Sequence, residues 1–256
     1  MRMKRFFVTA LCLMMVCSAA LADTLILPEN LTTIEDGAFC DDTGLDTVVA
    51  PAGLTRIEHQ AFAGSSLQKI TYPTTASVAG DAFDDVIWQI TKDGKMMTLT
   101  RGIAAPAAGD MILFGRYEQD NNLDNGTEPI EWLVLDVSED GKQALLISKY
   151  GLDVKQYNTS YEKKTWETCS LRTWLNTDTT EEKSFLSTAF TEDEQKKILT
   201  TAVDNSSSQG FDWTTEGAST NPSGGNDTQD RIFLLSYAEA NTYFGVTRKN
   251  TDNMKS

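Results

Sequence analysis

Few side chains in this sequence have the type and spacing needed for catalysis. The chain has 256 residues with one histidine, His59, and four cysteines, of which Cys40 and Cys169 lie outside the N-terminal apolar segment. One histidine cannot supply a multi-histidine metal site or several base catalysts. A nucleophilic Cys169 would need an adjacent base, and the neighbouring residues supply Arg172 but no histidine. We therefore predict no catalytic residues, an exposed His59 in a turn, and a Cys169 that packs in the core.

An acidic loop offers the oxygen ligands that calcium prefers. Its candidate ligands are Asp120, Asn122, Asp124, Asn125 and Glu128. Glu131 stands at about the place of the last ligand of an EF-hand counted from Asp120, but Gly126 comes one position late and strands are expected on both sides. Asn125–Gly126 is also a strong hairpin-turn sequence. A hairpin turn is the favoured interpretation and calcium binding the alternative, with no other cofactor predicted.

Two tryptophans in polar loops, Trp166 and Trp213, are candidates for stacking on a ligand. The other large aromatic side chains of this half of the chain, Trp132, Trp174 and Tyr150, are predicted to lie in the core. Carboxylate pairs are too numerous for any one pair to indicate a glycosidase.

The charge balance limits the class of partner. The chain carries 22 basic and 37 acidic residues, for a net charge of −15. A nucleic-acid-binding surface requires a basic stripe, which is absent from this sequence, so nucleic acid is excluded as a partner.

The first 22 residues have the pattern of an export signal. A basic start containing Arg2, Lys4 and Arg5 precedes a short apolar run and the small-residue sequence Ala20–Leu21–Ala22. The apolar run is too short to span a membrane, and no second run of that kind follows. We expect cleavage after Ala22 and a secreted or cell-surface protein, in which Cys40 and Cys169 either pair or stay as thiols.

Residues 23–85 contain an internal repeat of 21 to 23 residues. Pro28, Pro51 and Pro73 correspond in register, and so do the phenylalanines at 39, 62 and 83. The pattern L-x-x-I-x-x-x-A-F followed by L-x-x-(I/V) resembles the BspA-type leucine-rich repeat. The predicted repeat core is Leu31, Ile34, Phe39, Leu45, Val48, Leu54, Ile57, Phe62, Leu67, Ile70 and Phe83. Such units are too small to fold alone and must stack into a short β-solenoid, which serves as a scaffold or as a concave binding surface.

Residues 86–108 are expected to form a capping hairpin and a linker. Two strand-like runs between Val86 and Thr100 flank the turn sequence Asp93–Gly94, and a stretch poor in large apolar residues follows.

Residues 109–256 are predicted to form a mixed α+β domain. Strand-like runs occupy 111–117, 130–137, 143–150 and 231–236. Capping boxes at Thr179–Glu182, Thr191–Glu194 and Ser236–Glu239 each predict a helix start, and Leu171, Trp174 and Leu175 indicate a further helix.

The ordered motifs of this half resemble a family known as domain of unknown function 6273. They include FGRYEQ, PIEWLVLD, ALLISKYGLD, TWETCSLRTWLN and FLLSYAEA. The resemblance implies a Cys at the position of Val154 and a C-terminal tail similar to C-type-lectin and sulfatase-modifying-factor folds. This sequence has Val154 at that position and no segment like that tail, so we expect an incomplete domain with an exposed sheet edge or apolar groove beside Ile232–Leu235. We also expect self-association through such an edge and disorder over residues 247–256.

Together these features predict an α+β protein whose function is non-catalytic binding or adhesion to protein or glycan partners outside the cell. The alternative is a fragment of an extracellular enzyme or modifying factor.

Overall fold

The computed structural model describes residues 24–84, 86–102, 105–123, 126–177, 183–216 and 218–245. The fold is mixed α+β, mostly sheet with few and short helices. The strands are β1 Thr24–Ile26, β2 Thr33–Ile34, β3 Thr47–Val49, β4 Arg56–Ile57, β5 Lys69–Pro73, β6 Ser77–Val78, β7 Trp88–Asp93, β8 Met96–Arg101, β9 Met111–Tyr117, β10 Glu128–Val137, β11 Ala144–Ser148, β12 Thr201–Val203 and β13 Thr228–Asp230. The helices are α1 Ser170–Asn176, α2 Phe185–Ala189, α3 Glu192–Gln195 and α4 Tyr237–Phe244.

The repeat units stack in register, as their sequence period predicts. Strands β1, β3 and β5 form one parallel ladder, and β2, β4 and β6 form another. Between the ladders, Phe62 stacks on Phe39 at 5.2 Å and on Phe83 at 5.4 Å between ring centroids. All eleven predicted repeat-core residues lie in this core or pack against it.

The hairpin β7–β8 continues the repeat ladder into the second half of the chain. Strand β8 pairs antiparallel with β5, and β7 pairs with both β8 and β9. The turn occupies Gly94 and Lys95, where Gly94 has a φ of +57°. One eight-stranded sheet results, in the order β1-β3-β5-β8-β7-β9-β10-β11. The hairpin therefore covers the end of the repeats and also joins them to the second unit.

A bulge between β9 and β10 creates space for a helical layer. The pairing shifts between Pro129 and Glu131, which leaves Phe114 and Gly115 opposite Ile130. Gly115 has a φ of +71° and lies directly under the Phe190 ring. Its N–H donates to Glu194, whose buried carboxylate also caps α3 through Thr191.

The helix predictions are largely confirmed. The capping boxes Thr191–Glu194 and Ser236–Glu239 begin α3 and α4, and Leu171, Trp174 and Leu175 lie in α1. The third box, Thr179–Glu182, lies outside the described residues. Helix α2 lies in the stretch that this box predicts to be helical, but it begins at Phe185 and its own capping box is Ser184 and Ser187.

The strand predicted over residues 231–236 is wrong. Strand β13 ends at Asp230 and pairs with β12 in a separate two-stranded ribbon. Asn176 accounts for this ending, since its Oδ1 accepts from the N–H groups of Arg231 and Ile232 and its Nδ2 donates to the carbonyl of Ile232. These hydrogen bonds use the backbone N–H and carbonyl groups that would otherwise pair with a neighbouring strand.

The sheet edge predicted at Ile232–Leu235 is consequently absent. Ile232 and Phe233 pack partly against the second core, and Leu234 is half exposed. In the described part of the chain, β1 and β11 are the edges of the large sheet. Self-association stays a prediction. Residues 247–256, predicted to be disordered, lie outside the described residues.

Candidate functional site

Helix α1 is held in place by a buried carboxylate. The side chain of Asp230 is fully buried and accepts hydrogen bonds from Trp166 Nε1 at 2.8 Å, Arg172 Nε at 2.7 Å and Thr228 Oγ1 at 2.6 Å. Arg172 lies in α1 and Trp166 in the turn before it. A buried charge is tolerated only when it is paired and hydrogen-bonded, so this network positions α1 against β13.

A long loop between β11 and α1 packs along the start of that helix. The side chain of Asn158 accepts from Ser170 N–H at 3.1 Å, and Thr159 N–H donates to Ser170 Oγ at 2.9 Å. Further along, Tyr117 of β9 donates its hydroxyl to Asp153 at 2.7 Å. Burial and this hydrogen bond raise the pKa of Tyr117 to about 12.

A groove of about 470 Å³ lies between this loop, α1 and the start of α2. We call it the α1 groove. Its described lining has seven hydroxyl side chains and one amide, and comprises Asn158, Thr159, Ser160, Lys164, Thr168, Ser170, Thr173, Trp174, Thr177, Lys183 and Ser184. The volume falls within the range of about 300–1,000 Å³ that small-molecule sites occupy.

Trp174 forms the apolar part of the groove and also packs against the second core, as predicted. The same prediction is wrong for Tyr150, which is 55% exposed. The Trp174 indole packs on Phe185 at 5.7 Å between centroids, and Lys155 Nζ lies 4.8 Å from the ring centroid. Trp174 is half-buried, so part of its ring is packed and part lines the groove. The spacing of Trp174 from Leu171 places it on the apolar face of α1. The spacing does not show how much of the ring stays exposed at the edge of that face.

The prediction that Trp166 stacks on a ligand is corrected by its burial. Only 7% of the residue is exposed, and its indole N–H is bound to Asp230. The polar sequence around it forms caps and turns above the core rather than an open loop.

Trp213 does lie at the surface, with 41% of the residue exposed. Its ring contacts Phe211 at 5.0 Å, and Phe211 contacts Tyr237 at 5.4 Å, both edge to face. The three aromatic rings form a second candidate contact surface. Trp213 is not among the residues that line the α1 groove.

The acidic loop brings carboxylates together in a different set from the predicted one. Oxygens of Glu118, Asp120 and Glu128 lie within 4.8 Å of one another, close enough to share a cation. Backbone N–H groups already bind them: Gln119 donates to Glu128, and Asn122 donates to Glu118 and Asp120. These bonds hold the three carboxylates in place. Asp124 and Asn125 lie outside the described residues.

The remaining candidate residues take structural positions. His59 is exposed and its Nδ1 lies 2.8 Å from Asp81 of the next repeat. Cys169 is fully buried, accepts from Arg172 N–H and donates to the carbonyl of Trp166. Cys40 is exposed, and neither cysteine is in a disulfide within the described part of the chain.

The fold and the groove define a two-part protein, in which a parallel repeat ladder is extended by a hairpin into a sheet with a helical layer. Two family models match these parts. The model described as BspA type leucine rich repeat region (6 copies) matches residues 17–87, and the domain of unknown function DUF6273 matches residues 141–255. The two matched segments follow one another in the order that the motifs predict, which confirms the resemblance. No curated protein and no solved structure matches the chain.

The matched ranges differ from the motif-based boundaries. The DUF6273 match begins at Gly141, in the turn between β10 and β11, whereas the motifs place its start near Gly109. The four strands of the sheet junction, β7, β8, β9 and β10, therefore all fall between the two matched segments. Within the described residues, no helix is long and apolar enough to cross a membrane.

Proposed function

We propose that this chain is an exported, non-catalytic binding protein of the cell surface or the extracellular medium, and that the α1 groove recognises a carbohydrate. The observation that carries the proposal is the lining of that groove. Among the described residues, seven hydroxyl side chains and the amide of Asn158 surround one indole, a combination that suits a saccharide ring. Sugar hydroxyls need donors and acceptors, and the apolar face of a sugar ring needs an aromatic surface.

The arrangement of the groove supports binding rather than chemistry. Two of the lining serines already have fixed partners: Ser170 Oγ accepts from Thr159 N–H, and Ser184 Oγ lies 3.0 Å from Ser187 Oγ in a capping box. A nucleophile requires a base within hydrogen-bond reach that is free to take its proton. These serines instead hold the groove walls in position.

The repeat region is proposed as the scaffold that presents this groove. We propose that residues 23–85 form a short β-solenoid, which the two parallel ladders support. A C-type-lectin-like or sulfatase-modifying-factor-like relationship of the second unit is part of the proposal on the motif resemblance alone. Export rests on the pattern of residues 1–22.

A glycan array with the full chain tests the proposal. Thr159 is exposed on the groove wall, and its N–H rather than its side chain makes the bond to Ser170, so Thr159→Trp fills the groove without breaking that bond. Thr75→Trp, at an exposed turn of the repeats, is the matched control. We expect glycan binding that is lost in Thr159→Trp and kept in Thr75→Trp. Silence on the glycan array, or binding that survives Thr159→Trp, contradicts the proposal.

A further inference from the structure

We infer that the α1 groove selects N-acetylated amino sugars, with ring hydroxyl groups facing the C-terminal half of α1 and the acetamido carbonyl facing its N-terminal end. This inference rests on the proposed function and adds the substrate class. Its basis is the direction in which the hydroxyl groups of the groove donate their protons.

The C-terminal half of α1 presents hydrogen-bond acceptors to the groove. Thr173 Oγ1 donates its proton to the carbonyl of Cys169, and Thr177 Oγ1 donates its proton to the carbonyl of Thr173. A threonine hydroxyl has one proton and two lone pairs, so these two side chains offer a ligand their lone pairs. They lie one helical turn apart on the same face. This end of the groove therefore suits two neighbouring donors, such as adjacent hydroxyl groups of a sugar ring.

The N-terminal end of α1 presents hydrogen-bond donors instead. Thr159 N–H donates to Ser170 Oγ at 2.9 Å, and Asn158 Nδ2 donates to Ser160 Oγ at 3.0 Å. The orientation of the Asn158 amide is fixed, because its Oδ1 accepts from Ser170 N–H, a group that can only donate. Both serine oxygens act as acceptors in these bonds, and no residue in the described part of the chain accepts their protons. The two protons suit an acceptor on the ligand, such as a carbonyl oxygen.

The charge of the chain favours a neutral acceptor over an anionic one. The net charge is −15, which repels a carboxylate or a sulfate. Lys164, which lines the groove, is already paired with Glu162 at 3.2 Å. The neutral carbonyl that occurs on common sugars is that of an acetamido group.

The exposed part of Trp174 also favours an acetamido group. The residue is half-buried, and Lys155 Nζ lies 4.8 Å from its ring centroid. A methyl group needs less of the indole surface than the whole face of a sugar ring does. An acetamido group places its methyl next to its carbonyl, so one substituent can contact the indole and accept from the serine hydroxyls.

Titration calorimetry on the full chain tests the inference by comparing chitotriose with cellotriose. The two trisaccharides have the same ring configuration and the same linkage, and they differ in carrying an acetamido group or a hydroxyl next to the anomeric carbon. We expect chitotriose to bind about tenfold more tightly, because cellotriose lacks both the methyl contact and the carbonyl acceptor.

Thr177→Val tests the acceptor end of the groove. It removes an oxygen and keeps the shape of the side chain, so it should weaken chitotriose about fivefold. Thr177→Ser keeps the hydroxyl and should bind like the unaltered chain. Thr242→Val is the matched control, because Thr242 donates to the carbonyl of Ala238 in the same way but lies in α4 and does not line the groove. It should leave the affinity unchanged.

The inference and the proposed function can fail separately. Equal or tighter binding of cellotriose, or no binding of chitotriose, overturns the inference, and the carbohydrate function then stands if the glycan array is positive. An unchanged affinity in Thr177→Val also overturns the inference, and so does an equal loss in Thr177→Val and Thr177→Ser, since the hydroxyl would then not be what the ligand contacts. A silent glycan array together with silence of both trisaccharides overturns the inference and the proposed function.

Discussion

Asp230 is a single buried residue on which the geometry of the groove depends. It accepts three hydrogen bonds, and two of them come from Trp166 and Arg172, on either side of the point where α1 begins. Since Trp174 lies on the same helix, the position of the groove's apolar wall follows from this carboxylate. A buried group with this role contributes to function without touching a ligand.

Asp230→Asn should destabilise the fold by about 3 kcal/mol. The substitution removes the partner charge of Arg172, and the new amide hydrogens face the donors Trp166 Nε1 and Thr228 Oγ1. Urea unfolding measures the change. Asp193→Asn is the control, because Asp193 pairs with Lys196 at an exposed site and should show little effect. An unchanged midpoint for Asp230→Asn would show that the network is not stabilising.

Gly115 is a second residue with a specific structural role. An added Cβ would lie 2.4 Å from Phe190 Cε1 and 2.7 Å from the carbonyl oxygen of Ala189. Gly115→Ala should therefore cost about 3 kcal/mol or more. Gly141 has nearly the same φ, +70°, but nothing within 4 Å of an added Cβ, so Gly141→Ala should cost only about 1 kcal/mol. Equal losses of stability in the two variants would mean that backbone strain, and not the contact with α2, requires the glycine.

At the scale of elements, the repeat units show how stacking produces a core that no single unit has. The three rings of Phe39, Phe62 and Phe83 are nearly parallel, with interplanar angles of 9° and 6°. Phe62 lies in the middle and is 1% exposed, whereas Phe39 has a described ring neighbour on one side only.

Phe62→Ala should destabilise the chain by about 4 kcal/mol and Phe39→Ala by about 2 kcal/mol. The first substitution leaves a cavity between two rings, while the second removes a ring at the end of the stack. Thermal unfolding of both variants measures the difference. Equal losses of stability in the two variants would contradict a stack in which Phe62 lies between Phe39 and Phe83.

The repeat region was predictable because its information is local and periodic. Eleven core positions could be assigned from spacing alone, since each unit repeats the same contacts with its neighbour. Helix starts such as Ser236–Glu239 were predictable for the same reason, because a capping box involves residues three positions apart.

The features that could not be predicted depend on residues far apart in sequence. The side chain of Asn176 hydrogen-bonds to the backbone of Arg231 and Ile232, more than fifty positions later. Because of these bonds, an apolar run with a strand-like sequence forms a loop. Trp166 appeared to lie in a polar loop, although its partner Asp230 lies 64 positions away. The α1 groove combines a loop with two helices, so its lining could not be assigned before the fold was known.

For the whole molecule, the continuous sheet has consequences for folding. The repeats and the second unit have separate clusters of buried apolar residues, yet β7 pairs with β8 on one side and β9 on the other. Trp88 faces the repeat core, while Ile112, on the paired strand β9, belongs to the second core. Neither core can open fully without disturbing the strands that the other core needs.

We therefore expect the chain to unfold in one cooperative transition, although two family models match it separately. Leu67 and Leu186 provide a matched test, because both are fully buried leucines, one in each core. Leucine-to-alanine substitution at either site should cost about 3 kcal/mol. Each variant should shift the same single transition in calorimetry, and its van't Hoff and calorimetric enthalpies should agree.

Two separate transitions, one moved only by Leu67→Ala and the other only by Leu186→Ala, would instead mean that the hairpin connects two independently folding units. The groove would then keep its shape without the repeats, and the scaffold role proposed for them would be limited to presenting it.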